Sequence, residues 1–214
     1  IKKGEHVAII GENGSGKSII AKTILGFYNY DGNIYINSHN IKRLNKEDIR
    51  KYVDLILGES YMFSGSILEN IKLDNNINED ILEQTVINCD IKDDINGFEN
   101  GYNTLIGEKG TKLSGGQKQR ICIARSLINN KPILILDEAL NKLDNKTRGD
   151  ILSNLDNKYN DRTIIFISNN LEIINYSSNI IYIDKKTTLT GTHNELLNKS
   201  ESYRNLIKIR ENVV

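Results

Sequence analysis

Val7-Ala8-Ile9-Ile10-Gly11-Glu12-Asn13-Gly14-Ser15-Gly16-Lys17-Ser18 is the stretch that decides the fold. Four apolar residues without alternation suit a strand buried on both faces of a parallel sheet. A glycine-rich turn follows, and Lys17 to Leu25 reads as a helix stopped by Gly26. Gly11 to Ser18 satisfies G-x-x-x-x-G-K-[S/T] in full, between a strand and a helix as that motif requires. Glycines let backbone N–H groups turn inward there, and the helix N-terminus favours an anion. Gly11, Glu12, Asn13, Gly14, Ser15 and Gly16 therefore form a candidate phosphate cradle. Lys17 is the candidate cation for the β- and γ-phosphates of a nucleotide, and Ser18 the candidate hydroxyl ligand of Mg²⁺. The competing reading is an ordinary glycine-rich turn.

Further along the chain, Tyr52 to Leu57, Ile133 to Leu136, Thr163 to Ile167 and Ile180 to Ile183 read as buried strands. Asn33 to Asn37 alternates around Ile34 and Ile36, which predicts an antiparallel strand. Ser66 to Asn103 is rich in Asn and Asp with broken helical periodicity, and reads as a small helical insertion. From Gly115, Ile121, Ala124, Leu127 and Ile128 recur at helical spacing, and the last ~20 residues read as one or two helices. Strands alternating with helices predict an α/β fold around a mostly parallel sheet with flanking helices.

The chain has 214 residues, 38% of them hydrophobic and 26% charged, which is a globular composition. The net charge is zero, so bulk electrostatics gives no argument for a nucleic-acid partner. No stretch approaches the ~20 apolar residues of a membrane span. Cys89 and Cys122 have no CxxC or histidine neighbour and read as small buried apolar side chains in a reducing compartment. Residue 1 is Ile, so the chain reads as a piece of a longer polypeptide.

Two further motifs carry chemistry. Ile133 to Asp137 followed by Glu138 places carboxylates at the end of a buried strand, where ligands bind in parallel sheets. Asp137 would hold the Mg²⁺ hydration shell, and Glu138 would orient or deprotonate an attacking water. A solvated strand end is the alternative. Leu113-Ser114-Gly115-Gly116-Gln117 could be a plain helix N-cap, since serine before two glycines suits a loop-to-helix junction. In chain order, the three motifs resemble the phosphate loop, LSGGQ signature and Walker B strand of ATP-binding cassette (ABC) nucleotide-binding domains, over nearly the whole chain.

That resemblance implies a P-loop NTPase fold over 1–214, with a small antiparallel part and a helical subdomain at roughly 60–130. It implies ATP and Mg²⁺ as ligands, and a second nucleotide-binding domain, as homo- or heterodimer. The partner's Ser114, Gly115, Gly116 and Gln117 would then face the ATP held by this chain's Lys17. It also implies a transmembrane domain preceding residue 1, at the cytoplasmic face of a membrane. Thr104 to Gly110, Met62 to Ile71, and Gly191 to Leu197 resemble exporter segments, and Asn141 to Asp144 resembles the loop linking the two sites of a dimer.

Two positions depart from the family. Gly58 stands where the family has a glutamine that senses Mg²⁺ and water, and no Gln occurs between Ser18 and Gln84. Asn169 stands where Ile167-Ser168-Asn169-Asn170-Leu171 should carry a switch histidine. Asn169 is therefore the candidate γ-phosphate donor, unable to titrate or carry charge. Losing one oriented donor costs on the order of 3 kcal/mol, about a hundredfold in rate, so slow hydrolysis is expected. The adenine-stacking aromatic of the family should lie upstream of Gly11. His6 reads there as a strand-edge residue, and Tyr28 and Tyr30 as packing or surface aromatics.

Overall fold

The computed structural model describes residues 1–73, 75–184 and 187–211. It divides into two compact units, one of Ile1–Leu55, Pro132–Glu138 and Asp161–Val214, the other of Ile56–Lys131 and Ala139–Asn160.

The first unit is built on a sheet of β1 (His6–Gly11), β4 (Val53–Leu57), β5 (Ile133–Asp137), β6 (Thr163–Ile167), β7 (Asn179–Ile183) and β8 (Thr188–Gly191), in the order β4-β5-β6-β1-β7-β8. β5, β6, β1 and β7 pair in parallel, with Ile9 opposite Ile167 and Ile181, and Asp137 opposite Ile167. Every residue of β1 and β6 is buried, as their unbroken apolar runs require. Side chains alternate across the sheet. Ala8 and Ile10 join Ile174, Ile180, Tyr182, Tyr203 and Leu206 on one face. Ile9 joins Ala21, Leu25, Ile135, Ile165 and Ile167 on the other. Each such aliphatic side chain removed from water contributes roughly 2 kcal/mol. β8 closes the edge antiparallel to β7, with Tyr182 opposite Leu189.

Helix α1 (Lys17–Ile24) follows β1, α2 (Lys46–Tyr52) precedes β4, and α8 (Leu171–Tyr176) follows β6. α9 (His193–Lys199) and α10 (Glu201–Glu211) end the unit, and residues 212–214 of the expected C-terminal helices lie outside the described residues. The expected strand at Asn33 to Asn37 is shorter. β2 (Tyr35–Ile36) pairs with β3 (His39–Asn40) around Asn37 and Ser38, whose φ values of 47° and 66° make a primed hairpin turn. Asn37 is thus a turn residue, because asparagine tolerates the left-handed region.

The second unit holds α3 (Ile67–Lys72), α4 (Glu79–Asn88), α5 (Lys92–Gly97), α6 (Gly115–Ile128) and α7 (Asn145–Lys158). α3 and α4 pack on α6, and α4 also on α7. Each of α3, α4, α6 and α7 starts at a side-chain cap: Ser66, Asn78, Ser114 and Asp144. Cys89 and Cys122 are buried free thiols, and burial pushes both thiol pKa values up.

Candidate nucleotide site

The phosphate loop begins where β1 ends. Gly11 has φ 157°, and a Cβ there would lie 2.3 Å from the Ile183 carbonyl oxygen, so only glycine fits. Gly16 caps α1 with φ 89°. Lys17 is buried and folds back over the loop, where its Nζ donates to the Gly11 and Glu12 carbonyls, each at 2.8 Å. Burial lowers the Lys17 pKa. Glu138 and Asp137 oppose that shift, and Arg210 of α10 adds to it. Arg210 carries no motif that sequence reading could have flagged; its Nε is buried with no hydrogen-bond partner among the described residues.

Asp137 ends β5 buried, and the Ser18 hydroxyl donates to its Oδ1 at 2.8 Å. Sequence reading assigned both to one ion, and the fold brings them together across 119 positions. No cluster of three or more His, Cys, Asp or Glu able to hold a metal occurs among the described residues. One hydroxyl beside one carboxylate fits Mg²⁺, which keeps waters and phosphate oxygens as its other ligands. Glu138 follows in the left-handed region at φ 56°, its N–H held by the Ile167 carbonyl at 2.9 Å. That conformation costs a β-carbon-bearing residue roughly 1–2 kcal/mol and sets the carboxylate off the strand line.

Asn169 is buried just past β6, and its amide meets Gly11: Nδ2 donates to the Gly11 carbonyl at 2.9 Å, and Oδ1 accepts the Gly11 N–H at 3.1 Å. The next residue, Asn170, turns away to cap α8 through the Glu172 and Ile173 N–H groups. His6 is buried at the start of the central strand, stacked 5.6 Å from Tyr176 and bonded to its hydroxyl at 2.9 Å. It is a packing residue inside the sheet, not an edge residue, because β6 and β7 flank β1. Tyr28 is exposed, and Tyr30 packs on the core under Lys42.

In the second unit, Ser114 caps α6 in a reciprocal box. Its Oγ accepts the Gln117 N–H at 3.2 Å, and Gln117 Oε1 accepts the Ser114 N–H at 2.9 Å. Gln117 Nε2 donates to Asp94 at 2.7 Å, and Arg120 pairs with Asp94 at 2.9 Å. Ser114 thus caps α6, as a loop-to-helix junction requires, while Ser114 and Gly115 remain exposed. Gly58 lies in a bend after β4. Buried Gln119 braces that bend by donating to the Leu57 carbonyl at 3.3 Å and accepting from the Ser60 hydroxyl at 2.6 Å. Asp144 caps α7 through the Thr147 N–H, which holds its carboxyl below the usual range. In the Thr104 to Gly110 loop, Leu105 is 62% exposed while Ile106 is buried.

Comparison with known proteins accords with this architecture. The ABC transporter family profile matches residues 1–141. Proteins described as multidrug export ATP-binding/permease proteins in Staphylococcus aureus strains bovine RF122 / ET3-1 and NCTC 8325 / PS 47 are 39% identical over 214 residues, covering 98% of this chain and 37% of theirs. A bacterial Atm1-family ABC exporter solved with ATP bound is 34% identical with a TM-score of 0.92, covering 97% of this chain and 37% of that one. The α/β fold is that of the corresponding part of this exporter. The chain belongs to the ABC transporter family. It spans 37% of the length of these relatives. No helix among the described residues is long and apolar enough to cross a membrane.

Proposed function

We propose that residues 1–214 bind and hydrolyse ATP, and power an ABC exporter through closure of two such domains. The observation that carries this reading is the convergence of Lys17, Ser18 and Asp137 at the end of β1 and β5. A triphosphate entering the loop would displace Lys17 Nζ from the two carbonyls, exchanging hydrogen bonds for charge pairing with the β- and γ-phosphates. Ser18 and Asp137 would hold Mg²⁺, which supplies charge neutralisation for the transferred phosphoryl group. Glu138 would orient and deprotonate the attacking water. A helical subdomain at roughly 60–130 is supported by the compact unit of Ile56–Lys131 and Ala139–Asn160, which extends beyond those bounds to take in α7.

Ser114, Gly115, Gly116 and Gln117 would bind the ATP of a second nucleotide-binding domain. Exposed Leu105 and its loop would meet the transmembrane part that the permease relatives carry, at the cytoplasmic face. A second reading, an ATP-gated subunit with slow hydrolysis, is favoured by Gly58 and by the engagement of Asn169 with Gly11. The test is ATP binding and turnover by the full protein, with Lys17→Ala alongside. Binding and turnover that vanish in the variant are expected; equal values in both would refute the assignment.

A further inference from the structure

We infer that Asn169 is a positioning residue, an amide clamp that fixes the start of the phosphate loop through Gly11, rather than a donor to the transferred phosphate. This rests on the reading of the loop as the ATP site. A primary amide presents an N–H and a C=O side by side along one edge, so asparagine can pair both backbone groups of one residue. Asn169 does so at 2.9 and 3.1 Å, in a buried position. Gly11 needs such a partner because its backbone is confined to a conformation open only to glycine, against the Ile183 carbonyl. The backbone on either side of Asn169 is also tied: the Ser168 N–H donates to Ile9, and the Asn170 N–H to the Ser168 hydroxyl.

The Gly11 carbonyl accepts from Asn169 Nδ2 and from Lys17 Nζ together. The clamp thus sets the oxygen on which Lys17 rests, and through it the lysine's starting position. Amide orientation follows from the network, since the reverse assignment would set Nδ2 against an N–H and Oδ1 against a carbonyl.

Other side chains do not fit. A neutral imidazole has one donor and one acceptor pointing apart, so histidine cannot pair the N–H and the carbonyl of one residue. An ionised aspartate accepts the N–H but repels the carbonyl, whereas a protonated one restores both bonds. The departure from the family at this position therefore has its own function: it exchanges a titratable phosphate contact for a preorganised loop.

The test is ATP affinity and saturated turnover of the full protein and its Asn169→His, Asn169→Ala and Asn169→Asp variants. Leu155→Ala, which opens a cavity beside α7 in the other compact unit, reports on destabilisation alone. Losing the paired bonds, both in the alanine variant and at least one in the histidine variant, should weaken ATP binding about tenfold, with turnover at saturation not raised by histidine. Leu155→Ala should leave affinity unchanged, and acidification should recover affinity in Asn169→Asp more than in the unaltered protein. Histidine that raises saturated turnover at unchanged affinity would overturn the inference and make Asn169 a weakened phosphate donor. An Asn169→Asp affinity that shows no extra recovery on acidification would overturn it without use of the other variants. If the unaltered protein binds ATP but the variants match it, the clamp fails and the functional reading stands. If the unaltered protein binds no ATP, both fail.

Discussion

The glycines of the phosphate loop and those of the signature answer to different demands. Gly11 is enforced from within: any Cβ would strike the Ile183 carbonyl at 2.3 Å, and its φ of 157° is strained for other residues. Gly115 and Gly116 meet nothing comparable. They lie in the first turn of α6 without a positive φ, and a Cβ on either would make only ordinary contacts, at 3.8 Å to Lys142 and 3.7 Å to its carbonyl. Glycine in a helix costs up to about 1 kcal/mol against alanine, so the fold of this chain gains nothing from them. Glycine without an internal cause points outward, to something that must approach the backbone closely. The phosphate loop draws its contacts from its own chain, whereas the signature is a cap with an open face, which the proposed dimer would fill with a partner's nucleotide.

The largest expected break in this comparison comes from Gly11→Ala. It should cost roughly 3 kcal/mol or more of unfolding free energy, read by denaturant titration, because the obstacle is backbone. Glu138→Gln should lower turnover at least about a hundredfold while ATP binding persists, which steady-state kinetics beside a binding titration would show. Gly116→Asp should move unfolding free energy by less than about 0.5 kcal/mol and still reduce turnover more than tenfold. Destabilisation matching Gly11→Ala would erase the distinction. The smallest effect on turnover belongs to Ser18→Ala, which should raise the Mg²⁺ concentration for half-maximal turnover and cost roughly 1 kcal/mol of unfolding free energy, since buried Asp137 loses the hydroxyl that donates to it.

Much of the parallel sheet was legible because Val7 to Ile10, Ile133 to Leu136 and Thr163 to Ile167 are unbroken apolar runs. The phosphate loop was legible because its chemistry dictates glycine and lysine at fixed spacing. α7 was not: Ile151, Leu152 and Leu155 are buried in a helix otherwise rich in polar residues, too few for a clear period. β8 escaped because its four residues pair only at the sheet edge. Lys17 and Ser18 were found as motif members, but their bonds to Gly11, Glu12 and Asp137 were not. The Asn169 bonds to Gly11 span 158 positions and carry no local signal. Arg210 likewise joins the electrostatics of Lys17 only through the packing of α10 on the sheet.

The division of labour between the two glycine sets is tested most directly by co-assembly. Lys17→Ala should abolish turnover alone, and Gly116→Asp should lower it more than tenfold. Co-expressed, they should form mixed dimers in which one site joins an intact phosphate loop to an intact signature. The account predicts that ATP turnover returns in the mixed protein. Turnover that stays as low as in either variant alone would contradict it.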